Sequence, residues 1–131
     1  MNNVSQKQEK IYFGLDISQK TIEIFALKGE KGVSFGKIPN NQESLTEFFA
    51  QIPAKPETIT VVLETGTHSA WINRLLESRG YDVIVAHARD LAFIYKGDKK
   101  SDRIDAEKLA RMARADKKLL HPIKVIDKKR Q

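Results

Sequence analysis

The stretch TITVVLE, residues 58–64, is the most informative part of this chain for its fold class. It is rich in β-branched residues and almost continuously apolar, a pattern typical of a strand that is covered on both faces. We therefore expect residues 58–63 to form a central strand of a sheet. Glu64 closes this strand, and neither a turn nor a helix cap explains a charged residue at that point.

The elements on either side of this strand follow from hydrophobic periodicity and turn residues. Alternating patterns predict a meander of three antiparallel strands before it, and helices and strands alternate after it. The predicted strands cover residues 11–16, 21–27, 33–38, 58–63 and 81–86, and the predicted helices cover 43–51, 67–79 and 101–115, with a weakly patterned segment at 87–100. Ser101 is the expected N-cap of the last helix. The order βββαβαβαα predicts an α/β fold, a mixed sheet with helices on both faces.

Length and composition restrict the class of protein. The chain has 131 residues, of which 40% are apolar and 31% are charged, so we expect one globular domain with a real core. Its apolar runs are far shorter than the ~20 residues of a membrane-spanning helix, and no membrane insertion is expected. The polar first ten residues and the lack of cysteine argue against a secretory signal, a disulfide framework and a thiolate metal site, and favour the cytoplasm.

The formal net charge of +6 lies in the C-terminal part of the chain. Residues 1–95 carry ten basic and eleven acidic side chains, whereas residues 96–131 carry thirteen basic and six acidic ones. A basic segment attached to a neutral body favours a polyanionic partner such as nucleic acid. The alternative is that these lysines and arginines only solvate a helix face and a tail.

Two carboxylates are expected at one edge of the sheet. Asp16 ends the first predicted strand and Glu64 ends the central one, so the two side chains are neighbours if these strands pair. Ligand sites of open α/β sheets gather at such carboxyl ends. For Asp16 alone, a turn-forming role is the commoner explanation.

A second acidic pair lies on the last predicted helix. Asp102 and Asp105 are three residues apart, so they share a face, and the same face continues through Leu109 and Met112. A carboxylate in line with the buried side of a helix needs cations or donors. For Asp102 alone, a complement to the helix dipole is the favoured explanation.

If the four carboxylates converge, their mutual repulsion requires divalent cations to neutralise it. Oxygen-only ligands suit Mg²⁺ or Mn²⁺ better than Zn²⁺. Two such ions about 4 Å apart activate an attacking oxygen and stabilise a leaving one in phosphoryl transfer.

Three motifs of the chain resemble one known family. They are GLDISQKT at residues 14–21, LETG at 63–66 and, most specifically, KSDRIDAEKLA at 100–110. These are similar to motifs of the DEDD transposases of insertion-sequence family 110, which are related to the pilin-gene invertase. The resemblance covers residues 11–123 and includes the predicted strand at 81–86.

This resemblance implies a ribonuclease-H-like, RuvC-type domain that cleaves and exchanges DNA strands. By the same resemblance Asp16, Glu64, Asp102 and Asp105 form a catalytic tetrad that binds Mg²⁺ or Mn²⁺, and a noncoding guide RNA and a homo-oligomer are implied as well. Members of the family carry a second domain with a nucleophilic serine, a role that no serine of this chain is expected to take. We therefore expect a flexible leader at residues 1–10, a catalytic domain at 11–115 and a basic tail at 116–131 that leads toward that second domain.

The remaining candidates are basic residues and a histidine. Phosphate contacts and a solvated helix face are equally good interpretations of six side chains, which are Lys99, Lys100, Arg103, Lys108, Arg111 and Arg114. His68 lies four residues after Glu64, and local hydrogen bonding is its expected role.

Two other functional classes compete with the transposase. Actin-like and sugar-kinase ATPases also begin with Gly-x-Asp on a strand, but they need a second glycine-rich phosphate loop, and residues 64–66 hold a single glycine. The other alternative is a fragment that binds DNA or a guide RNA without chemistry. Substitution of Glu64 separates the two main hypotheses, because only a catalytic domain loses cleavage while it keeps binding.

Overall fold

A computed structural model describes residues 9–87 and 105–115 together with the backbone of Pro122–Ile123. Within these residues a single sheet carries helices on both of its faces. The strands are β1 (Ile11–Ile17), β2 (Thr21–Lys28), β3 (Lys31–Pro39), β4 (Ile59–Glu64), β5 (Asp82–Ala86) and β6 (Pro122–Ile123). The helices are α1 (Gln42–Ala50), α2 (Ser69–Ser78) and α3 (Ala106–Ala115), and a single 3₁₀ turn covers Pro56–Thr58.

The sheet has the strand order β3-β2-β1-β4-β5-β6. β1, β2 and β3 pair antiparallel as a meander, β4 and β5 extend β1 in parallel, and β6 is antiparallel to β5. The predicted mixed sheet is therefore confirmed, and the chain has a ribonuclease-H-like α/β fold. β4 occupies the predicted central position, and every residue of Ile59–Leu63 is buried.

The larger core lies between one face of the sheet and helices α1 and α2. Its side chains come from alternate positions of the strands, such as Phe13 and Leu15 of β1 and Val61 and Leu63 of β4. An aromatic cluster lies at its margin. The ring of Phe13 contacts those of Phe35, Phe48 and Phe49, and Phe49 in turn contacts Tyr81. Burial raises the pKa of the Tyr81 phenol, while the nearby Arg79 acts in the opposite direction.

The ends of α1 and α2 follow standard capping chemistry. Asn41 is the N-cap of α1, and its side chain accepts a hydrogen bond of 2.7 Å from the backbone N–H of Ser44. Gly80 follows α2 with a φ of +96°, the left-handed conformation that glycine adopts most easily after a helix. Both helices lie where the hydrophobic periodicity predicts them.

Helix α3 covers the opposite face of the sheet at very short range. Leu109 and Met112 pack there against Val62 of β4. At Gly14 of β1 the backbone of the helix replaces a side chain, because a Cβ on this residue would lie 2.0 Å from the carbonyl oxygen of Ala106. Only glycine permits this approach of helix to strand.

Two features of the C-terminal part differ from the sequence prediction. The last helix was expected over residues 101–115 with Ser101 as its N-cap, but α3 begins at Ala106, and Ser101 lies outside the described residues. The backbone of Pro122–Ile123 forms the short strand β6 within the segment interpreted as a basic tail. Two residues are too few for a periodic pattern to show in the sequence. None of the helices in the described part of the chain is long and apolar enough to cross a membrane.

We predict that Gly14→Ala destabilises the domain by about 1–3 kcal/mol, because the new methyl group forces α3 away from β1. Chemical denaturation followed by circular dichroism measures the change. Gly66→Ala is the matched control, since nothing lies within 4 Å of a Cβ at Gly66 and its backbone does not need a positive φ. Equal stability of the two variants would contradict the packing assigned to Gly14.

Candidate active site

Parallel pairing of β1 and β4 brings the ends of both strands to the same edge of the sheet. Leu15 is paired with Leu63, so the next residues of the two strands, Asp16 and Glu64, follow in adjacent positions. Both are half-buried, and each is engaged in polar or electrostatic contacts. The condition on which the sequence prediction depended, that these two strands are neighbours, is met.

These two carboxylates are on the face of the sheet that α3 covers. Side chains alternate along a strand, so Asp16 shares its face with Gly14, and Glu64 shares its face with Val62. Gly14 lies against the first residue of α3, and Val62 packs against the same helix. The start of α3 and both carboxylates are therefore on one side of the sheet.

Asp105 is the N-cap of α3 rather than a residue within the helix. Its Oδ1 accepts a hydrogen bond of 2.9 Å from the backbone N–H of Lys108, and its carbonyl oxygen accepts one of 3.1 Å from the N–H of Leu109. Aspartate is among the best N-cap residues because its carboxylate satisfies an N–H group that the helix leaves unpaired. The expectation that Asp105 belongs to a helical face is thus corrected.

The full tetrad is not contained in the described residues. Asp102 lies outside them, so the convergence of the four carboxylates stays a prediction. Across residues 9–87 and 105–115, no group of three or more histidine, aspartate and glutamate side chains is arranged to hold a metal ion. The structure brings the ends of β1 and β4 together, and the capped start of α3 lies on the same side of the sheet.

A polar cavity of about 400 Å³ lies beside Glu64. Its wall consists mainly of two loops, the one after β1 and the one between β4 and α2. The lining residues are Ile17, Ser18, Gln19, Glu64, Thr65, Gly66, Thr67, His68 and Ser69. The second loop is held to the sheet, since the N–H of Thr65 donates to the carbonyl oxygen of Ala86 at 2.8 Å.

His68 makes the local hydrogen bond that the sequence analysis expects. Its Nδ1 accepts from the indole Nε1–H of Trp71 at 2.9 Å, and the two rings are nearly perpendicular. The sequence prediction for His68 named no partner for this bond. The three-residue spacing, which places both side chains on one side of the first turn of α2, is the signal that points to the pair.

The predicted basic residues of α3 take part in different contacts. Arg111 is about half exposed, pairs with Glu107 at 2.8 Å and lies over the ring of Phe25. Arg114 donates to the carbonyl oxygen of Gly29 in the turn between β2 and β3, and so holds the end of α3 to the sheet. Lys108 is half-buried in the first turn of the helix. The other three predicted cations, Lys99, Lys100 and Arg103, lie outside the described residues.

Comparison with known protein families identifies the family of the chain. The family model of the DEDD transposases of insertion-sequence family 110, whose description is "Transposase", matches residues 13–131. No curated protein is similar enough to the chain to count as a relative. The matched range includes all three motifs and nearly all of the sheet.

We predict that Asp105→Ala lowers the free energy of unfolding by about 1 kcal/mol, because the helix loses its N-cap. Asp105→Asn changes it by only a few tenths of a kcal/mol, since asparagine caps helices about as well. Denaturant titration of both variants measures the difference. An asparagine variant as unstable as the alanine variant would contradict a capping role and point to the charge instead.

Proposed function

The chain belongs to the DEDD transposases of insertion-sequence family 110, and we propose that it provides the metal-dependent part of the reaction in which these enzymes cleave and exchange DNA strands. One observation carries the proposal. The register of β1 and β4 puts Asp16 next to Glu64 on the face where α3 begins. Half-buried carboxylates in neighbouring positions repel each other unless cations or hydrogen-bond donors compensate their charge. A pair of acids without a function would avoid this cost at the protein surface.

We propose the domain division that the motifs imply. Residues 11–115 together with strand β6 are the RuvC-like catalytic domain, and the basic residues of the segment 116–131 lead toward the second domain of the transposase. Most of the leader predicted at residues 1–10 lies outside the described residues. The family match over residues 13–131 is compatible with this division.

The proposed ligands of the metal are Asp16, Glu64, Asp102 and Asp105. Their donor chemistry fits Mg²⁺ or Mn²⁺, because carboxylate oxygens are the ligands that these hard cations prefer and the chain offers no thiolate. Asp105 uses Oδ1 to cap α3, so its second oxygen is the one that suits a cation. When bound, such ions supply Lewis-acid activation of a phosphoryl group and of the attacking oxygen.

The chain itself contributes fixed positions for these carboxylates. Glu64 is held from both sides, by the pairing of β4 with β1 and by the bond from Thr65 to Ala86 immediately after it. The N-terminus of α3, with its partial positive charge, lies on the same side of the sheet and stabilises negative charge nearby. Groups that are fixed before the reaction do not have to be reoriented during it.

The proposed partner is DNA, which the excess of basic residues in the segment 96–131 attracts. Among the cations of α3, Arg111 is a better candidate for phosphate contact than Arg114, because Arg111 is about half exposed in a surface pair with Glu107, whereas Arg114 is half-buried and bonded to the backbone at Gly29. The same proposal includes a noncoding guide RNA as a second partner and a homo-oligomer as the state of the full-length transposase. It also places the reaction on DNA in the cytoplasm, at the nucleoid.

We predict that Mn²⁺ or Mg²⁺ raises the melting temperature by a few degrees relative to EDTA. A ligand that binds only the folded state at ten times its Kd adds about 1.4 kcal/mol of stability. Differential scanning fluorimetry with each ion and with EDTA measures the shift, and Asp16→Asn abolishes it. A melting temperature that does not respond to millimolar Mn²⁺ would contradict a preformed metal site.

Glu64→Gln is expected to abolish DNA cleavage in Mn²⁺ while DNA binding in EDTA is retained, because the amide keeps the shape of the side chain and loses the charge that holds a cation. Glu57→Gln, an exposed position in the 3₁₀ turn, is the control and should leave both properties unchanged. Gel assays of cleavage and fluorescence anisotropy of binding provide the measurements. Cleavage that survives Glu64→Gln would overturn the assignment, and a parent chain that binds DNA in Mn²⁺ without cleaving it would favour a binding module without chemistry.

A further inference from the structure

The cavity beside Glu64 contains one ionisable group to which the proposed catalysis gives no role, the imidazole of His68. His68 is half-buried and precedes the first residue of α2. The rest of the wall is mainly hydroxyl, amide and backbone groups, so His68 and Glu64 are the two titratable side chains that line this cavity. An imidazole and a carboxylate therefore share the wall of one cavity.

The orientation of this imidazole is set by the hydrophobic core. Trp71 packs against the main core with its ring half-buried, and its Nε1–H donates to His68 Nδ1 at 2.9 Å. The edge-on arrangement of the two rings, at an interplanar angle of 89°, matches a hydrogen bond from the indole rather than stacking. His68 is therefore held at a defined angle in the cavity wall.

The same bond determines where the imidazole keeps its proton. A nitrogen that accepts a hydrogen bond carries no hydrogen, so the neutral ring has its proton on Nε2. Nε2 is then a donor without needing a positive charge. This makes His68 suited to an anionic oxygen acceptor.

We propose that His68 Nε2–H donates a hydrogen bond to a non-bridging phosphate oxygen of a nucleic-acid strand that lies in the Glu64 cavity, and that Trp71 is the positioning residue for this contact. The proposal rests on the proposed function, because it takes the cavity next to Glu64 as the place of the substrate backbone. The cavity is lined by polar groups over most of its wall, as a phosphodiester backbone requires. His68 thus adds a backbone contact that carries no sequence information.

Binding of a short DNA duplex in EDTA tests the contact without cleavage. His68→Ala is expected to weaken binding about tenfold, the effect of losing one hydrogen bond to a charged group. His68→Gln is expected to restore most of the affinity, because its amide nitrogen can donate from a position close to that of Nε2. His87→Ala is the matched control, since His87 is exposed at the end of β5 and does not line the cavity. Unchanged affinity of His68→Ala would overturn the proposal.

The role of Trp71 has its own measurement. Trp71→Phe keeps an aromatic ring in the core and removes the donor, so it should weaken DNA binding when His68 is present and have no further effect on His68→Ala. Long-range proton–nitrogen NMR of the imidazole is expected to report the Nε2–H tautomer in the parent chain and a shift of its signals when inorganic phosphate is added. A ring protonated at Nδ1 would overturn the proposal, as would additive effects of the two substitutions.

Failure of this inference is distinguishable from failure of the proposed function. If Glu64→Gln abolishes cleavage and His68→Ala leaves binding unchanged, the catalytic assignment stands and the phosphate contact does not. If His68→Ala weakens binding and Glu64→Gln leaves cleavage unchanged, the contact stands and the catalytic assignment does not. A thermal melt of each variant confirms that the change in affinity is measured on folded protein.

Discussion

The close contact between α3 and β1 at Gly14 is the constraint on which the site depends. A helix normally rests on a sheet through side chains, at a distance that those side chains set. Here the carbonyl oxygen of Ala106 occupies the space of a missing Cβ, so the helix backbone touches the strand. Because Gly14 is two residues before Asp16, the same contact determines how near the start of α3 comes to the strand ends.

The other end of α3 is held independently, by the hydrogen bond from Arg114 to the turn at Gly29. Between these two points its apolar face packs on the sheet, and Val62 contributes to that packing from the central strand. The helix therefore has little freedom to slide or rotate over the sheet. Such rigidity suits a site whose acidic groups must keep their positions against their mutual repulsion.

Much of the architecture was predictable because it depends on local patterns. The meander and the buried strand at 59–63 follow from periodicity in the sequence, and Gly80 marks the end of α2. The pairing of β1 with β4 was the condition for placing Asp16 beside Glu64, and the structure meets it. Regular hydrophobic patterns of this length are compatible with few assignments of strands and helices.

The parts that sequence reasoning missed depend on contacts between distant residues. Nothing in the sequence around Gly14 shows that a helix some ninety residues later fills the space above it. The start of α3 was predicted too early because two good capping residues, Ser101 and Asp105, compete, and the structure uses the second. The convergence of all four carboxylates was predicted from two strand ends, one helical face and a family resemblance, and Asp102 lies outside the described residues.

Strand β3 forms one edge of the sheet and has consequences for how copies of the chain meet. Its pairing with β2 is interrupted by a bulge at Phe35, it carries exposed lysines at positions 31 and 37, and it ends at Pro39, which has no N–H to donate. Each of these features disfavours the addition of another strand. A growing ribbon of sheets, the first step of many aggregates, is therefore opposed at this edge.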